Sequence, residues 1–417
     1  MSQPTYQFTI SLSESELGFY LVAFSLISLT VTYLLASGLL RSKDRSQSIR
    51  KPIHSSETKA ALYAADEDAV ALSRKNKKRL ASYPPGFPEG WYPICFADEL
   101  KAAGAIKYVE CLGLELATYR GEDGKARTLD AHCTHLGANL AIGGKVVGNC
   151  IECPFHCWRF DGANGNCTEI PYCETIPSLA NTRHWETVEH HGLICIFYSP
   201  VDERRLQPPY QLELVPEIVS GAHVARGRRT EFVHMHIQEF AENSVDFQHF
   251  DPLHGGMTFP FTDIGIPYIR IRHEARWEPD EKQHHIARFH DIATLLFCGK
   301  EIPHSSAKAT ITFIGPGGLV VFRFVTELGN IDLFQTHTPI DRVFLRVSFS
   351  WFADKRIPSF LVAYVVGNWI SQWRRDVMIW ENKVYLKKPV LVKGDGPVMK
   401  LRRWFSQFYP ESQGIDW

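Results

Sequence analysis

The segment CTHLGANLAIGGKVVGNCIECPFH, residues 133–156, decides how the first half of the chain folds. It contains the pattern C-x-H-x17-C-x2-H, in which Cys133 stands with His135 and Cys153 stands with His156. Two limbs that each offer one thiolate and one imidazole suit a [2Fe–2S] cluster in which one iron takes two Cys and the other takes two His. A Cys2His2 zinc site needs the same ligand types, but zinc fingers usually keep the two Cys on one limb and the two His on the other.

The cysteine distribution also indicates a metal. Six of the ten cysteines lie within residues 133–173, and such density beside two histidines is typical of a metal site. A structural disulfide among Cys150, Cys157, Cys167 and Cys173 stays open for a chain in an oxidising compartment.

The overall composition is that of an ordinary globular protein. The chain has 417 residues, of which 45% are hydrophobic and 22% are charged, and its formal net charge is −1. The length predicts two or three domains, and the balanced charge gives no attraction to a polyanion, so nucleic-acid binding has no support.

An apolar segment near the N-terminus predicts a membrane anchor. Residues 17–40 contain no charged side chain, and the basic residues follow this segment rather than precede it. Twenty or so apolar residues suffice for a transmembrane helix, and the charge bias would place the C-terminal part in the cytosol. Residues 1–16 would form a short leading segment, and the polar residues 41–86 a linker.

A second candidate metal site lies in AENSVDFQHFDPLHGG, residues 241–256. Asp246 and His249 are three residues apart and share a face if this segment is helical. Because Pro252 disfavours a helical conformation in the residue before it, we expect the helix to end there and the chain to turn back, with His254 beside His249. Two histidines at this spacing are, taken alone, more often a chance or core pair, and a 2-His-1-carboxylate iron site also needs a carboxylate.

The candidate carboxylate is Asp376, on a helical pattern that runs from about Pro358 to Tyr385. Glu381 is the alternative on the same pattern. Asp376 could instead be a surface residue paired with Arg374 or Arg375.

Alternating, β-branched and aromatic segments predict antiparallel sheets in both halves. We expect an α+β protein in which residues 87–201 form a small antiparallel β domain and residues 202–417 form a catalytic domain of antiparallel sheet with helices. Helices on one face of that sheet would enclose an elongated apolar cavity leading to the iron.

The sequences that flank the first motif, CTHLGA and CPFHCWRFDG, resemble those of Rieske proteins. Respiratory Rieske proteins carry an extra, disulfide-bonded Cys in each ligand loop, where this chain has Ala138 and Phe155. The chain after the linker is therefore similar to the Rieske non-haem iron oxygenases. It departs from them at Cys157, where the family usually has Gly, which leaves the local geometry and the role of this thiol open.

The resemblance assigns the site residues. The pattern N-x2-D-x2-H-x4-H resembles the mononuclear iron motif of the family and implies that His249 and His254 bind Fe(II), while the D-x-x-I-W context implies Asp376 as the third ligand. Family members commonly form head-to-tail homotrimers in which an Asp bridges the iron site and a cluster His of the neighbouring subunit. Asp246 and His156 match those two positions.

Together with the anchor, the chain resembles the animal cholesterol 7-desaturase group. This implies conversion of cholesterol to 7-dehydrocholesterol with O2 and with electrons from NAD(P)H, in the membrane of the endoplasmic reticulum. No G-x-G-x-x-G follows a predicted strand, so a separate reductase would bind the nicotinamide. The alternatives are a Rieske hydroxylase or demethylase of another lipid or ring substrate, and a membrane-tethered electron carrier with no second iron.

Overall fold

The computed structural model describes Arg79 and residues 82–409. Three small antiparallel sheets make up the part of the chain before residue 200: β1-β11-β10, β2-β3-β4-β9 and β5-β6-β7-β8. The strands are β1 (Gly90–Phe96), β2 (Ile106–Cys111), β3 (Leu114–Arg120), β4 (Ala126–Asp130), β5 (Lys145–Val147), β6 (Cys150–Glu152), β7 (Arg159–Asp161), β8 (Cys167–Glu169), β9 (His184–Trp185), β10 (Thr187–His190) and β11 (Leu193–Tyr198). The predicted antiparallel β domain is therefore present.

Strand β11 joins the two halves of the protein. Its sequence LICIFY is apolar at every position, which is typical of a strand that is covered on both faces. Ile194 and Ile196 pack into the large core of the second half, whereas Cys195 and Phe197 point the other way into a smaller core. The ligand loops of the first motif rest on a separate core cluster.

A single antiparallel sheet of nine strands forms the second half, in the order β12-β20-β19-β18-β17-β15-β14-β13 with β16 beside β15. These strands are β12 (His223–Val233), β13 (Gly256–Thr258), β14 (Gly265–Pro279), β15 (Ile286–Phe297), β16 (Lys300–Glu301), β17 (Ala307–Ile314), β18 (Leu319–Thr326), β19 (Gly329–Asp341) and β20 (Phe344–Asp354). The helices are α1 (Asp202–Arg205), α2 (Pro216–Val219), α3 (Ile237–Asn243), α4 (Ser359–Trp380) and α5 (Val398–Ser406).

Helix α4 packs along the large sheet by one buried stripe. Val362, Val366, Ile370 and Trp373 recur at helical spacing and are all buried. The Trp373 ring meets the Phe349 ring of β20 edge to face, with 5.1 Å between centroids. The sequence predicted a helix as far as Tyr385, but α4 ends at Trp380, where the Arg79 guanidinium donates to the carbonyls of Trp380 at 2.5 Å and Lys383 at 3.1 Å and so satisfies groups left unpaired at a helix C-terminus.

All ten cysteines lie among the described residues, and every one of them is free. The disulfide that the sequence left open is therefore absent there.

The predicted localisation, a single-pass protein of the endoplasmic reticulum membrane, is contradicted. No helix of Arg79 and residues 82–409 is both long enough and apolar enough to cross a bilayer. The long helix α4 carries Arg374, Arg375 and Asp376 in its second half, and such groups are costly in lipid. The anchor predicted for residues 17–40 lies outside the described residues, as do residues 1–16 and most of the linker 41–86.

The buried His236 makes the stability of this fold sensitive to acid. His236 caps α3, since its Nδ1 accepts from the N–H of Gln238 at 3.3 Å, and it stacks on Tyr83 at 4.4 Å. Burial, with smaller contributions from the charges of Arg342 and Arg79, lowers its pKa to about 3. The ring therefore stays neutral in the folded protein at pH values where an unfolded chain, with a pKa near 6.5, binds a proton.

We predict that burial of the neutral His236 ring contributes fully to the free energy of unfolding above about pH 6.5. This contribution is lost, at up to about 1.4 kcal/mol per pH unit, as the pH falls toward the pKa of His236 in the folded protein. In His236→Asn the amide keeps the capping acceptor but does not titrate. Urea unfolding from pH 7.5 to 4.5 should show a shallower loss of stability for the variant than for the unaltered protein. An identical slope would contradict the assignment.

Candidate metal centres and substrate cavity

Two loops of matching geometry carry the first cysteine–histidine set. The N–H of Cys133 donates to the carbonyl of Ala138, and the N–H of Gly137 donates back to Cys133, both at 2.9 Å. The second loop repeats this arrangement: the N–H of Cys153 donates to the carbonyl of Trp158 at 2.8 Å, and the N–H of Cys157 donates to Cys153 at 3.1 Å. Each loop thus presents its Cys and His from a closed backbone turn.

The equivalence of the loops explains the position of Cys157. Gly137 has φ +75° and Cys157, at the same place in the second loop, has φ +58°. This left-handed conformation suits Gly, and it costs other L-residues roughly 1–2 kcal/mol. The chain therefore holds a cysteine where the turn favours glycine, the residue usual in the family that the motif resembles, and the Cys157 side chain is exposed.

The side chains of the two loops converge. The Nδ1 atoms of His135 and His156 lie 3.2 Å apart, and both cysteines are buried. Burial, and to a smaller extent the neighbouring Cys153, raise the pKa of Cys133 to about 11, so its thiolate form needs a nearby cation. Two facing imidazole nitrogens beside two buried thiols fit the mixed ligand set of a [2Fe–2S] cluster.

The second histidine set lies on two short helical segments after α3. Phe247–His249 form a 3-10 turn, and Phe250–His254 form a π-helical turn. The expectation that the helix ends before Pro252 was wrong in detail. Pro252 is accommodated because it sits in the first turn of the new segment, where backbone N–H groups have no intrahelical acceptor. The wide turn still brings His254 beside His249, with 4.9 Å between ring centroids.

Asp376 of α4 meets both histidines. Its Oδ1 lies 3.2 Å from Nε2 of His254 and 3.9 Å from Nε2 of His249, and one ligand atom from each of the three residues falls within 4.8 Å of the others. His254 and Asp376 are only 4% and 5% exposed. Oδ1 of Asp376, although it lies close to both rings, makes no hydrogen bond among the described residues, so this cluster has the composition of a 2-His-1-carboxylate metal site and a buried carboxylate oxygen left for a cation.

His249 is oriented by its own segment. Its Nδ1 donates to the carbonyl of Asp246, which leaves Nε2 directed toward Asp376. The Asn243 amide lies 3.1 Å from the same Nε2. Burial lowers the pKa of His249, and the Asp376 charge offsets part of this shift; the neutral imidazole that results is the form that binds metals.

Sequence reasoning missed the residue that holds the turn to α4. Nη1 of Arg375 donates to the carbonyls of Leu253 at 2.7 Å and Gly256 at 2.8 Å, on either side of His254. Arg374 points elsewhere, to Glu231 at 2.8 Å. Neither arginine pairs with Asp376, which is therefore not the surface residue of the alternative interpretation. The other candidate, Glu381, accepts from the N–H of His234 at 3.0 Å.

A largely apolar cavity opens beside these three residues. It encloses about 1240 Å³, open solvent at its mouth included, and His249, His254 and Asp376 line it. Its apolar walls come from the nine-stranded sheet and from helix α4, and they include Met257, Ile271, Phe289, Ile311, Phe322 and Trp369. The expected apolar cavity leading to the candidate iron site is present.

Two predicted bridge residues lie outside this cavity. The Asp246 carboxylate is half exposed, with Oδ2 3.8 Å from Nδ1 of His249. His156 is partly exposed, and its ring lies 3.8 Å from the exposed Phe155 ring, centroid to centroid.

Comparisons with known proteins match family models to both halves of the chain. The family model described as Rieske [2Fe-2S] domain matches residues 90–180, and the model described as 3-Ketosteroid 9alpha-hydroxylase C-terminal domain matches residues 201–409. The N-terminal match contains both ligand loops, and the C-terminal match contains the three clustered residues and the cavity.

Similar relatives span most of the chain. A cholesterol 7-desaturase of Caenorhabditis elegans is 37% identical over 80% of this chain and 80% of its own, and the cholesterol 7-desaturase nvd of Xenopus laevis is 34% identical over 82% and 78%. A probable 3-ketosteroid-9-alpha-monooxygenase oxygenase component of Rhodococcus rhodochrous is 30% identical over 80% and 82%.

Solved structures share the fold. The NdmA QL mutant of Pseudomonas putida CBB5 with caffeine gives a TM-score of 0.57 at 18% identity, covering 82% of this chain and 94% of that one. Dicamba monooxygenase bound to 3,6 dichlorosalicylic acid gives 0.57 at 18% identity, covering 79% and 100%. The chain matches both a Rieske domain and a steroid-hydroxylase-type C-terminal domain, and the desaturase and monooxygenase relatives cover most of its length. It therefore belongs to the Rieske non-haem iron oxygenases, enzymes that use a [2Fe–2S] cluster, a non-haem iron and O2.

Proposed function

We propose that this protein introduces the 7,8 double bond into cholesterol and forms 7-dehydrocholesterol, with O2 as the oxidant and with NAD(P)H-derived electrons that a separate reductase supplies. The observation that carries the proposal is the apolar cavity that ends at His249, His254 and Asp376. Relatives named cholesterol 7-desaturase support the substrate. The balance is cholesterol, O2, NAD(P)H and one proton giving 7-dehydrocholesterol, two waters and NAD(P)+.

The geometry of each site supports a set of metal ligands. Cys133 and Cys153 would hold one iron of the cluster, and His135 and His156 the other. His249, His254 and Asp376 would hold the mononuclear iron. This iron, when bound, supplies O2 activation and removal of hydrogen from the sterol.

The protein's own contribution to this reaction is positioning and exclusion of water. Carbon atoms dominate the lining of the cavity, so a sterol displaces water from it on binding. His249 is fixed by its bond to the Asp246 carbonyl, and His254 is fixed by the two carbonyls that Arg375 binds on either side of it.

Electron transfer between subunits is the second part of the proposal. In a head-to-tail homotrimer, Asp246 would connect the iron site of one subunit to His156 of the next. Three features support this: the half-exposed Asp246 carboxylate, the hydrogen bond between the Asp246 backbone carbonyl and His249, and the exposed Phe155 ring against His156.

We predict that Arg375→Met weakens mononuclear iron binding while the cluster remains. Loss of the two bonds to the carbonyls beside His254 frees the turn, and loss of such supporting contacts lowers metal affinity by about 10- to 100-fold. Iron and acid-labile sulfide analysis after mild chelation should give two iron atoms per chain in this variant and three in the unaltered protein. Arg374→Met is the matched control, and equal iron loss in both variants would contradict a specific role for Arg375.

Mass spectrometry of sterols tests the reaction itself. Cells fed cholesterol and expressing the chain with a compatible reductase should accumulate 7-dehydrocholesterol, and the His249→Ala control should not. A product that retains oxygen would reject the desaturase in favour of a steroid hydroxylase, the activity named for the Rhodococcus relative. Failure to convert cholesterol by protein that carries three iron atoms would reject the substrate.

The electron bridge predicts a separate phenotype for Asp246→Asn. This variant should keep both metal sites, because Asp246 touches His249 through its backbone carbonyl. Its turnover should fall by about 100-fold or more, in the range seen when a positioned catalytic group is removed. Rapid-reaction absorbance should then show normal cluster reduction but slow reoxidation by O2 and sterol, and unchanged turnover would reject the bridge.

A further inference from the structure

The cavity contains a second polar pair that the iron site does not explain. Nδ1 of His273, on β14, lies 2.8 Å from Oδ2 of Asp291, on β15. The two side chains are 7% and 13% exposed, and both residues line the cavity.

The strand patterns show that this pair interrupts an otherwise apolar wall. Along β14 the inward positions 269, 271, 275 and 277 are Ile, Ile, Ala and Trp, while the intervening positions are charged, and His273 stands in the middle of the inward row. On β15, Asp291 stands in the same way between Phe289 and Ala293, which also line the cavity. Side chains two apart on a strand share a face, so both polar residues point at the ligand space.

Unmet hydrogen-bonding capacity singles the pair out. Among the described cavity-lining residues, four side-chain atoms are buried with no hydrogen-bond partner: Nδ1 of His254, Oδ1 of Asp376, Nε2 of His273 and Oδ1 of Asp291. Oδ1 of Asp376 faces the candidate metal ligands, and Nδ1 of His254 belongs to the ring whose Nε2 faces Asp376. A buried polar atom left unpaired costs roughly 1–3 kcal/mol, so a polar group of a ligand that reaches the other two atoms would be favoured there.

The pair lies one aromatic ring from the metal cluster. Phe250 stacks on His273 with 5.1 Å between centroids, and its other neighbour is His249 at 4.5 Å. The His273 ring is therefore no farther from the His249 ring than these two separations combined. In cholesterol the 3-hydroxyl and C7 lie on adjacent rings, so a sterol with C7 at the metal cluster has its hydroxyl close enough to reach this wall.

The geometry points to His273 and Asp291 as the site that binds the 3-hydroxyl of the sterol, an inference that rests on the proposed function and names its specificity contact. The Nδ1–H of His273 donates to Oδ2 of Asp291, and Oδ1 of the same carboxylate remains an acceptor without a partner among the described residues. A hydroxyl supplies the hydrogen that this oxygen lacks, whereas a 3-ketone supplies none. The pair therefore selects 3-hydroxysterols over 3-ketosteroids.

Equilibrium binding of three sterols to the full-length protein tests this inference without turnover. The sterols are cholesterol, its 3-deoxy analogue and the corresponding 3-ketone. The unaltered protein should bind cholesterol about 10- to 100-fold more tightly than either of the others, as expected for a buried site built around one hydrogen bond.

In His273→Phe, which keeps a ring against Phe250, this preference should disappear because cholesterol binding weakens while binding of the 3-deoxy analogue stays within about twofold. Asp291→Asn is a second, near-isosteric variant and should lose the preference in the same direction. Ile271→Val, on the same strand face, is the matched control and should weaken all three sterols equally.

Equal weakening of all sterols by His273→Phe, or tight ketone binding by the unaltered protein, would overturn the hydroxyl assignment. If the unaltered protein converts cholesterol and the His273 and Asp291 variants keep the preference, this inference alone fails. If the unaltered protein neither binds nor converts cholesterol, the proposed function fails together with it.

Discussion

A carboxylate buried in an apolar layer is the constraint on which the catalytic half depends. Asp376 lies on the inward stripe of α4, and an ionised carboxylate there is costly unless a cation or hydrogen-bond donors compensate it. Two imidazoles approach it, and Arg375, one residue earlier on α4, fixes the turn that carries them. The same helix thus supplies a candidate ligand and the clamp for the others. A second clamp holds the preceding helix α3, since Arg402 of α5 binds both Glu242 oxygens, at 2.7 and 2.9 Å, in a nearly buried pair.

The first half positions its candidate metal ligands by backbone geometry, whereas the second half positions them by hydrogen bonds from arginine side chains. Its ligand loops are closed by paired main-chain hydrogen bonds, so the positions of Cys133 and Cys153 depend on turns that need a left-handed residue. Gly137 meets this need without strain, and Cys157 meets it at a conformational cost that the surrounding loop must offset. Because main-chain hydrogen bonds close both turns, the four side chains are positioned by the backbone itself, which suits a site that would only store and pass electrons.

The sequence predicted the parts of this structure that have a local pattern. Strand alternation gave the sheets, as in YIRIRHEARW within β14, and motif spacing brought together Cys133, His135, Cys153 and His156 as well as His249 and His254. The predicted membrane location was wrong, since no helix among the described residues could cross a bilayer. Arg375 was missed because its acceptors are backbone carbonyls more than a hundred residues away, which leave no mark on the sequence. His273 and Asp291 did leave one, because each is a polar residue on the inward row of a strand whose other inward residues are apolar, but that row becomes a cavity wall only when α4 is in place.

Directional contacts at two points explain how such a cavity fixes the site of reaction. Hydrophobic burial is roughly proportional to area and has no direction, so apolar walls hold a flat, rigid sterol without deciding which ring carbon faces the metal cluster. Cholesterol has a single polar group, and among the described residues that line the cavity His273 and Asp291 form, beyond the metal cluster, the one buried pair with unmet hydrogen bonds. When the hydroxyl is bound at His273 and Asp291, the rigid ring system holds each ring carbon at a fixed distance from that wall. The distance from the wall to Asp376 then determines which ring carbon lies at the metal cluster.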